Sequence, residues 1–261
     1  MTGWLCGVAA AALVAFASQG AGANSAPEVV FIGEVHDNPG HHVAQAAEVA
    51  RLRPAAIVFE MLTEPQAKRV TPDLIGDATA LEAALEWAET GWPDFAMYYP
   101  IFQSAPDARI YGAAIPRDAA RAALVAGVAA TFGADAARFG LTEPLPAEEQ
   151  TEREADQMAA HCNALSADLL PGMVDLQRMR DANLARAALQ ALDDTGGPVV
   201  VIAGNGHVRL DRGAPVSLAR AAPEVRLRAI GQDEAGRIDG RFSEVWPGNP
   251  VDRADPCAAF R

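Results

Sequence analysis

Val29-Val30-Phe31-Ile32-Gly33-Glu34-Val35-His36-Asp37-Asn38-Pro39 is the stretch that decides the fold. Four consecutive apolar residues read as a strand buried on both faces, because a strand with one wet face would alternate polar and apolar positions. Gly33 breaks the run, and a charged, histidine-bearing turn follows. Asn38 suits a helix N-cap and Pro39 the first helical turn, so the chain passes from buried strand through polar turn into helix. Val43, Ala46, Ala47 and Ala50 supply an apolar face for that helix, and Pro54 stops it.

The same grammar recurs along the chain. Ala56-Ile57-Val58-Phe59 is a second buried strand, within 55–61. Arg109 to Ile115 reads as a third strand and Val199-Val200-Val201-Ile202 as a fourth; Val225 to Ile230 reads as a fifth, and Phe242 to Trp246 as an edge strand. Leu81, Ala84, Leu85 and Ala88 mark a helix ending at Gly91, and Pro116 opens another running towards Gly127. Trp92 to Ala105 is aromatic-rich and reads as irregular. Residues 128–195 hold no strand pattern, but two long helices, Glu148–Cys162 and Asp168–Leu192. The expected fold is α/β: a mainly parallel β-sheet flanked by helices, with a smaller helical insertion lobe at about 128–195. Residues 24–261 form a single domain in this reading, and 247–261 a loose polar tail.

Of the 261 residues 50% are hydrophobic, enough for one sizeable core. The formal net charge of −13 repels phosphate backbones and anionic lipid surfaces, which sets nucleic acid aside as a partner. The first 23 residues carry no charged side chain. Their apolar run, Gly7 to Ala17, is too short to span a bilayer and is followed by small residues ending Ala21-Gly22-Ala23, so 1–23 reads as a secretory signal peptide cleaved after Ala23. That implies an exported, periplasmic bacterial protein without an integral membrane span. Cleavage leaves Cys162 and Cys257. An oxidising compartment permits a disulfide, but nothing in the sequence brings them together, and free thiols are the default.

In open parallel sheets, sites form at the carboxyl ends of the strands. The first strand runs into Gly33-Glu34-Val35-His36, the second into Glu60, the third towards Arg117-Asp118, and the fourth into Gly204-Asn205-Gly206-His207. His36, Glu60, Arg117 and His207 therefore converge on one sheet edge. Two histidines and a carboxylate (His36, Glu60, His207) are a common ligand set for a divalent metal ion. Glu34 is a further ligand, a partner that orients His36, or a general base; Arg117 anchors an anion. His41 and His42 open the first helix, and His42 is the better placed to reach the same pocket. On the long helix Gln177 and Arg180 share a face with Met173 and Leu184, beside Asp181, which is either an ordinary exposed face or one turned to the site. His161 is either a helix-end residue or a ligand. Trp92, Phe95, Tyr98, Tyr99 and Phe102 belong to a core or line a flat apolar ligand. No nucleophile elbow, Walker loop or dinucleotide fingerprint occurs.

The turns Gly33-Glu34-Val35-His36-Asp37-Asn38-Pro39 and Ala203-Gly204-Asn205-Gly206-His207-Val208-Arg209 resemble those of the ChaN-like haem-binding family. That family sits in a larger group with the TIKI, TraB and erythromycin-esterase proteins. Val58-Phe59-Glu60-Met61, Ile115-Pro116-Arg117-Asp118, His161-Cys162-Asn163 and Gln177-Arg178-Met179-Arg180-Asp181 extend the resemblance over roughly 27–210. It implies haem as cofactor, with His36, His42, Arg117, Gln177, Arg180 and His207 as the candidate binding residues. It also implies export, a link to iron or haem handling, and a homodimer enclosing haem. Family members are often lipid-anchored; no credible lipobox occurs here, so membrane contact would be peripheral, at the outer membrane. The wider group implies an alternative, a metal-dependent hydrolase whose catalytic residues are Glu34, His36, Glu60, Arg117 and His207. A third reading makes the domain a non-catalytic scaffold with structural histidines.

Overall fold

The computed structural model describes residues 1–3 and 26–258, so most of the expected signal peptide lies outside the described residues. Six strands form one sheet: β1 (Val29–Glu34), β2 (Ala56–Phe59), β3 (Arg109–Gly112), β4 (Val199–Gly204), β5 (Leu227–Gln232) and β6 (Glu244–Trp246). The order is β3-β2-β4-β1-β5-β6 and every pairing is parallel. The helices are α1 (Pro39–Leu52), α2 (Glu64–Ala67), α3 (Pro72–Ile75), α4 (Ala78–Ala84), α5 (Phe95–Ser104), α6 (Arg117–Ala126), α7 (Val128–Phe132), α8 (Ala147–Ala160), α9 (Leu170–Thr195) and α10 (Ala214–Ala221). An α/β sheet flanked by helices is what the sequence led us to expect; 128–195, the stretch read as a helical lobe, holds α7, α8 and α9.

The residues of β1, β2 and β4 are buried on both sides because helices cover both faces of the sheet there. Val30, Ile32, Ile57, Phe59, Val200 and Ile202 face a layer holding the aromatic residues of α5. Val29, Phe31, Val58, Val199 and Val201 face α9 and α10. Parallel pairing aligns β1 and β4 so that Gly33 is level with Ala203 and Glu34 with Gly204. Both histidine turns thus leave the sheet side by side at its centre.

Three expectations need correction. Trp92–Ala105 is not irregular: Phe95–Ser104 is helical, capped by the Asp94 side chain, with Pro100 inside it. Phe95, Tyr98, Ile101 and Phe102 are buried, so burial of this stripe outweighs the proline. In α1 the assigned face is inverted. Val43 is 67% exposed, whereas His41, His42, Gln45, Glu48 and Val49 are buried, because this helix packs against the polar floor of a site. The carboxy-terminal stretch is tied down. Arg253 pairs with Asp37 and Glu234, Asn38 donates to the Asn249 carbonyl, and Cys257 is disulfide-bonded to Cys162. No helix among the described residues is long and apolar enough to cross a membrane.

Candidate functional site

Glu34, the last residue of β1, is buried and fully engaged. Its Oε1 accepts from the Tyr98 hydroxyl (2.8 Å) and from His36 Nδ1 (2.7 Å), and its Oε2 accepts from Gln45 Nε2 (2.8 Å). Burial pushes this carboxyl up, but His36, His42 and Gln45 together hold it below its usual value. The turn that follows is braced from α1. Val35 N donates to His41 Nδ1 (2.9 Å), and His42 Nε2 donates to the His36 carbonyl (2.8 Å). His41 Nε2 donates to the Asp233 carbonyl. With Nδ1 accepting, that ring is neutral, in keeping with a pKa pushed down by burial.

The second turn is built differently. His207 Nδ1 donates to Asp181 Oδ1 (2.7 Å), and its Nε2 lies 3.4 Å from Glu60 Oε1. Desolvation opposes a charge here, yet the two carboxylates overcome it and lift the His207 pKa to about 9. Glu60 spends its other oxygen on Gly204 N (2.7 Å), so it holds β2 to β4 as well as facing His207. Close approach requires glycine at two points. A Cβ on Gly33 would stand 2.3 Å from Asn205 Oδ1, and one on Gly204 2.9 Å from His36 Nε2. Asn205 in turn exchanges hydrogen bonds with the Gln232 backbone, locking both turns to β5.

Above the turns lies a cavity of about 640 Å³ lined by His36, Glu60, Trp92, Arg117, Gln177, Arg180 and His207. The structure therefore brings six of the sequence-derived candidates together. His36 points Nδ1 down to Glu34, its side chain is 32% exposed, and its Nε2 forms no hydrogen bond among the described residues. Glu34 and Glu60 overcome desolvation and raise the His36 pKa. The Trp92 ring flanks His36 at 4.8 Å. Arg180 bonds only Gln177, and neither it nor Arg117 forms an ion pair among the described residues. The cavity thus combines one presented imidazole nitrogen with two guanidinium groups that lack carboxylate partners.

Two candidates sit elsewhere. Glu34 is beneath the cavity with its oxygens occupied, which fits the orienting partner of His36 and leaves it no access as a general base. His42 is buried under the turn and bonds its backbone instead of lining the cavity. The structure lends no support to His36, Glu60 and His207 as a metal centre: among the described residues no group of three or more His, Cys, Asp or Glu is arranged to hold an ion. The reason is local, since both His207 nitrogens face carboxylates and Glu60 is tied to Gly204. His161 Nδ1 donates to the Gln157 carbonyl at the end of α8, a helix-end role. Of the aromatic cluster, Phe95, Tyr98 and Phe102 are core and Trp92 lines the cavity. Gln45, absent from the sequence candidates, carries one of the site's hydrogen bonds, and Tyr98 and Asp181, read there as a core or ligand-lining aromatic and a neighbour of Arg180, carry others. Polar positions on otherwise buried helix faces were the available signal.

Fold and site together define a doubly covered parallel α/β protein with a histidine–arginine cavity at the carboxyl edge of its sheet. The chain belongs to the family described as haem-binding uptake, Tiki superfamily, ChaN, whose family model matches residues 22–218. It is similar to the structure titled "Cofacial heme binding to ChaN of Campylobacter jejuni", with 18% identity and a TM-score of 0.61, covering 82% of this chain and 84% of that one. That likeness shows the fold. The type III effector HopBA1 aligns more loosely, at 15% identity and a TM-score of 0.46 over 86% of this chain and 88% of its own. A Bacillus cereus protein gives 14% identity and a TM-score of 0.30 over 87% and 72%. No curated protein matches in sequence.

Proposed function

We propose that this is an exported haem-binding protein acting in iron or haem handling, and that haem occupies the cavity above the two turns. The single observation that carries the reading is His36. A buried carboxylate fixes its Nδ1–H, leaving the Nε2 lone pair to the cavity, which is how an imidazole is oriented towards iron. Arg117 and Arg180 suit the two propionates as charge-assisted, fork-shaped donors, and Trp92 offers an apolar wall. When bound, haem would supply an iron centre whose exposure and ligation the cavity controls. The chain's own contribution is to orient Nε2, neutralise the carboxylates and keep His207 charged beneath. Iron and a proton compete for Nε2, so affinity through His36 falls as the pH is lowered.

Export and a periplasmic location belong to the same proposal, as do a homodimer and peripheral outer-membrane contact. The Cys162–Cys257 disulfide supports export, since such bonds persist in oxidising compartments. The testing experiment is a hemin titration of the mature protein by absorption spectroscopy. A saturating Soret shift is expected, weakened about tenfold or more in His36→Ala and in Arg117→Ala/Arg180→Ala. Saturation unchanged in all variants would remove haem from this cavity. Sedimentation with and without hemin tests the dimer.

A further inference from the structure

A second, larger cavity of about 720 Å³ lies on the other side of the segment that joins β3 to α6. It runs along the open edge of the sheet, against β3, with α2 on one flank and α9 on the other. Ala114, Ile115 and Pro116 are common to both cavities, so this short segment is the partition between them. Its size is that of a pocket for a small organic molecule.

Charge distribution in this cavity is uneven. Lys68 pairs with Glu64, and Arg109 pairs with Asp194 at 3.4 Å. Arg186 does not pair. It reaches in from α9, only partly exposed, and forms no ion pair among the described residues. Its guanidinium is nonetheless held in place. Its carbon lies 3.9 Å from the Phe132 ring centroid, Nη2 donates to Asn183 Oδ1 (2.6 Å), and Nη1 donates to the Phe132 carbonyl (3.3 Å). Asn183 itself is fixed by donating to the Ala113 carbonyl, 2.7 Å away. Burial pushes the Arg186 pKa down, with Asp135 and Glu64 acting against it from beyond ion-pair distance. A half-buried, pre-positioned guanidinium with no carboxylate in ion-pair contact is an anchor that an incoming anion can engage. The lining is mixed: Thr131, Gln190 and Asp194 contribute polar atoms, while Ile110, Ile115, Met179 and Ala187 supply its apolar part.

The geometry points to this cavity as a binding site for a small apolar monocarboxylate, its carboxylate on Arg186 and its hydrocarbon body along Ile110, Ile115 and Met179. One unpaired guanidinium matches one carboxylate, and the net charge of −13 discriminates against polyanions. The site does not depend on haem occupying the histidine cavity. The shared partition gives it one added property: a ligand pressing on Ala114–Pro116 bears on the residue that follows, Arg117.

Titration calorimetry with octanoate, and with octanol as its neutral counterpart, tests the assignment on the full mature chain. Octanoate should bind with one-to-one stoichiometry and octanol about tenfold more weakly or worse. Arg186→Gln should lose about tenfold in octanoate affinity, Arg186→Lys should retain most of it, and Lys68→Gln should be indistinguishable from the parent. Failure of the parent to bind octanoate overturns the proposal, and so does equal binding of octanol or an Arg186→Gln variant that binds as the parent does. The octanoate–octanol comparison is made on the parent chain, so it decides the matter even if Arg186→Gln does not fold.

Discussion

The two Gly-x-x-His turns lie side by side on paired central strands, yet they hold their imidazoles in different chemical states. His36 gives one nitrogen to a single buried carboxylate and leaves the other towards the cavity. His207 has a carboxylate at each nitrogen and is 13% exposed. The first geometry orients a lone pair; the second stores a positive charge. A shared motif therefore specifies where a histidine stands, while the residues around it, Glu34 against Asp181 and Glu60, specify what it can do.

The contrast can be broken experimentally in four places. The largest effect is expected from Glu34→Ala. It strips partners from His36, Tyr98 and Gln45 at once, and a buried network broken at one member loses about 3–5 kcal/mol. Urea unfolding measures this, and a loss of under about 1 kcal/mol would show the network to be dispensable. Next comes the pH dependence of stability. The folded-state pKa of His207, about 9, lies above the ordinary 6.5. Its contribution is thus complete below pH 6.5 and lost as the pH rises through 9. Melting temperature should fall across that interval more steeply in the parent than in His207→Gln, where the raised pKa of His36 leaves a residual slope; equal slopes would mean His207 is not the charged partner.

A third effect separates the turns by ligand. His207→Ala should leave the Soret position of hemin-loaded protein where it is, whereas His36→Ala should move it, each compared at saturating hemin. Identical spectral shifts in the two would abolish the distinction drawn above. The smallest effect is expected at the rim, from Arg253→Ala. Arg253 is 31% exposed and its partners Asp37 and Glu234 are 46% and 11% exposed, and ion pairs with solvent contact are worth about 1 kcal/mol or less apiece. A larger drop in denaturation midpoint would make the tail a structural member of the first turn.

How far the sequence was readable follows the range of the forces involved. The apolar runs of β1, β2 and β4 are local and unambiguous, and the turns after them carry the site. Strand order was not readable, since it depends on which of several similar strands pair. The α5 helix was missed because Pro100 and the aromatic residues say nothing of the layer that would bury them. The α1 face was misassigned for a related reason: hydrophobicity predicts an apolar inner face, but His41, His42 and Gln45 are buried to serve the turn. Orienting His36 is one of three roles that the sequence leaves open for Glu34, and choosing among them takes the structure, while Asp181 can be matched to His207 only in three dimensions. The tail looked loose because its anchors, Asp37, Glu234 and Cys162, are remote in sequence.

The Cys162–Cys257 bond spans 95 residues, and everything from α9 to β6 lies inside the ring it closes. A ring of that length narrows the unfolded ensemble by about 4–5 kcal/mol in the chain-entropy picture. Half of the sheet, including the strand that delivers His207, thus belongs to a covalent circle. A single protease cut within it leaves both pieces joined until a reductant is added. The same polypeptide is therefore an open thread when its two thiols are reduced and a closed hoop when they are oxidised.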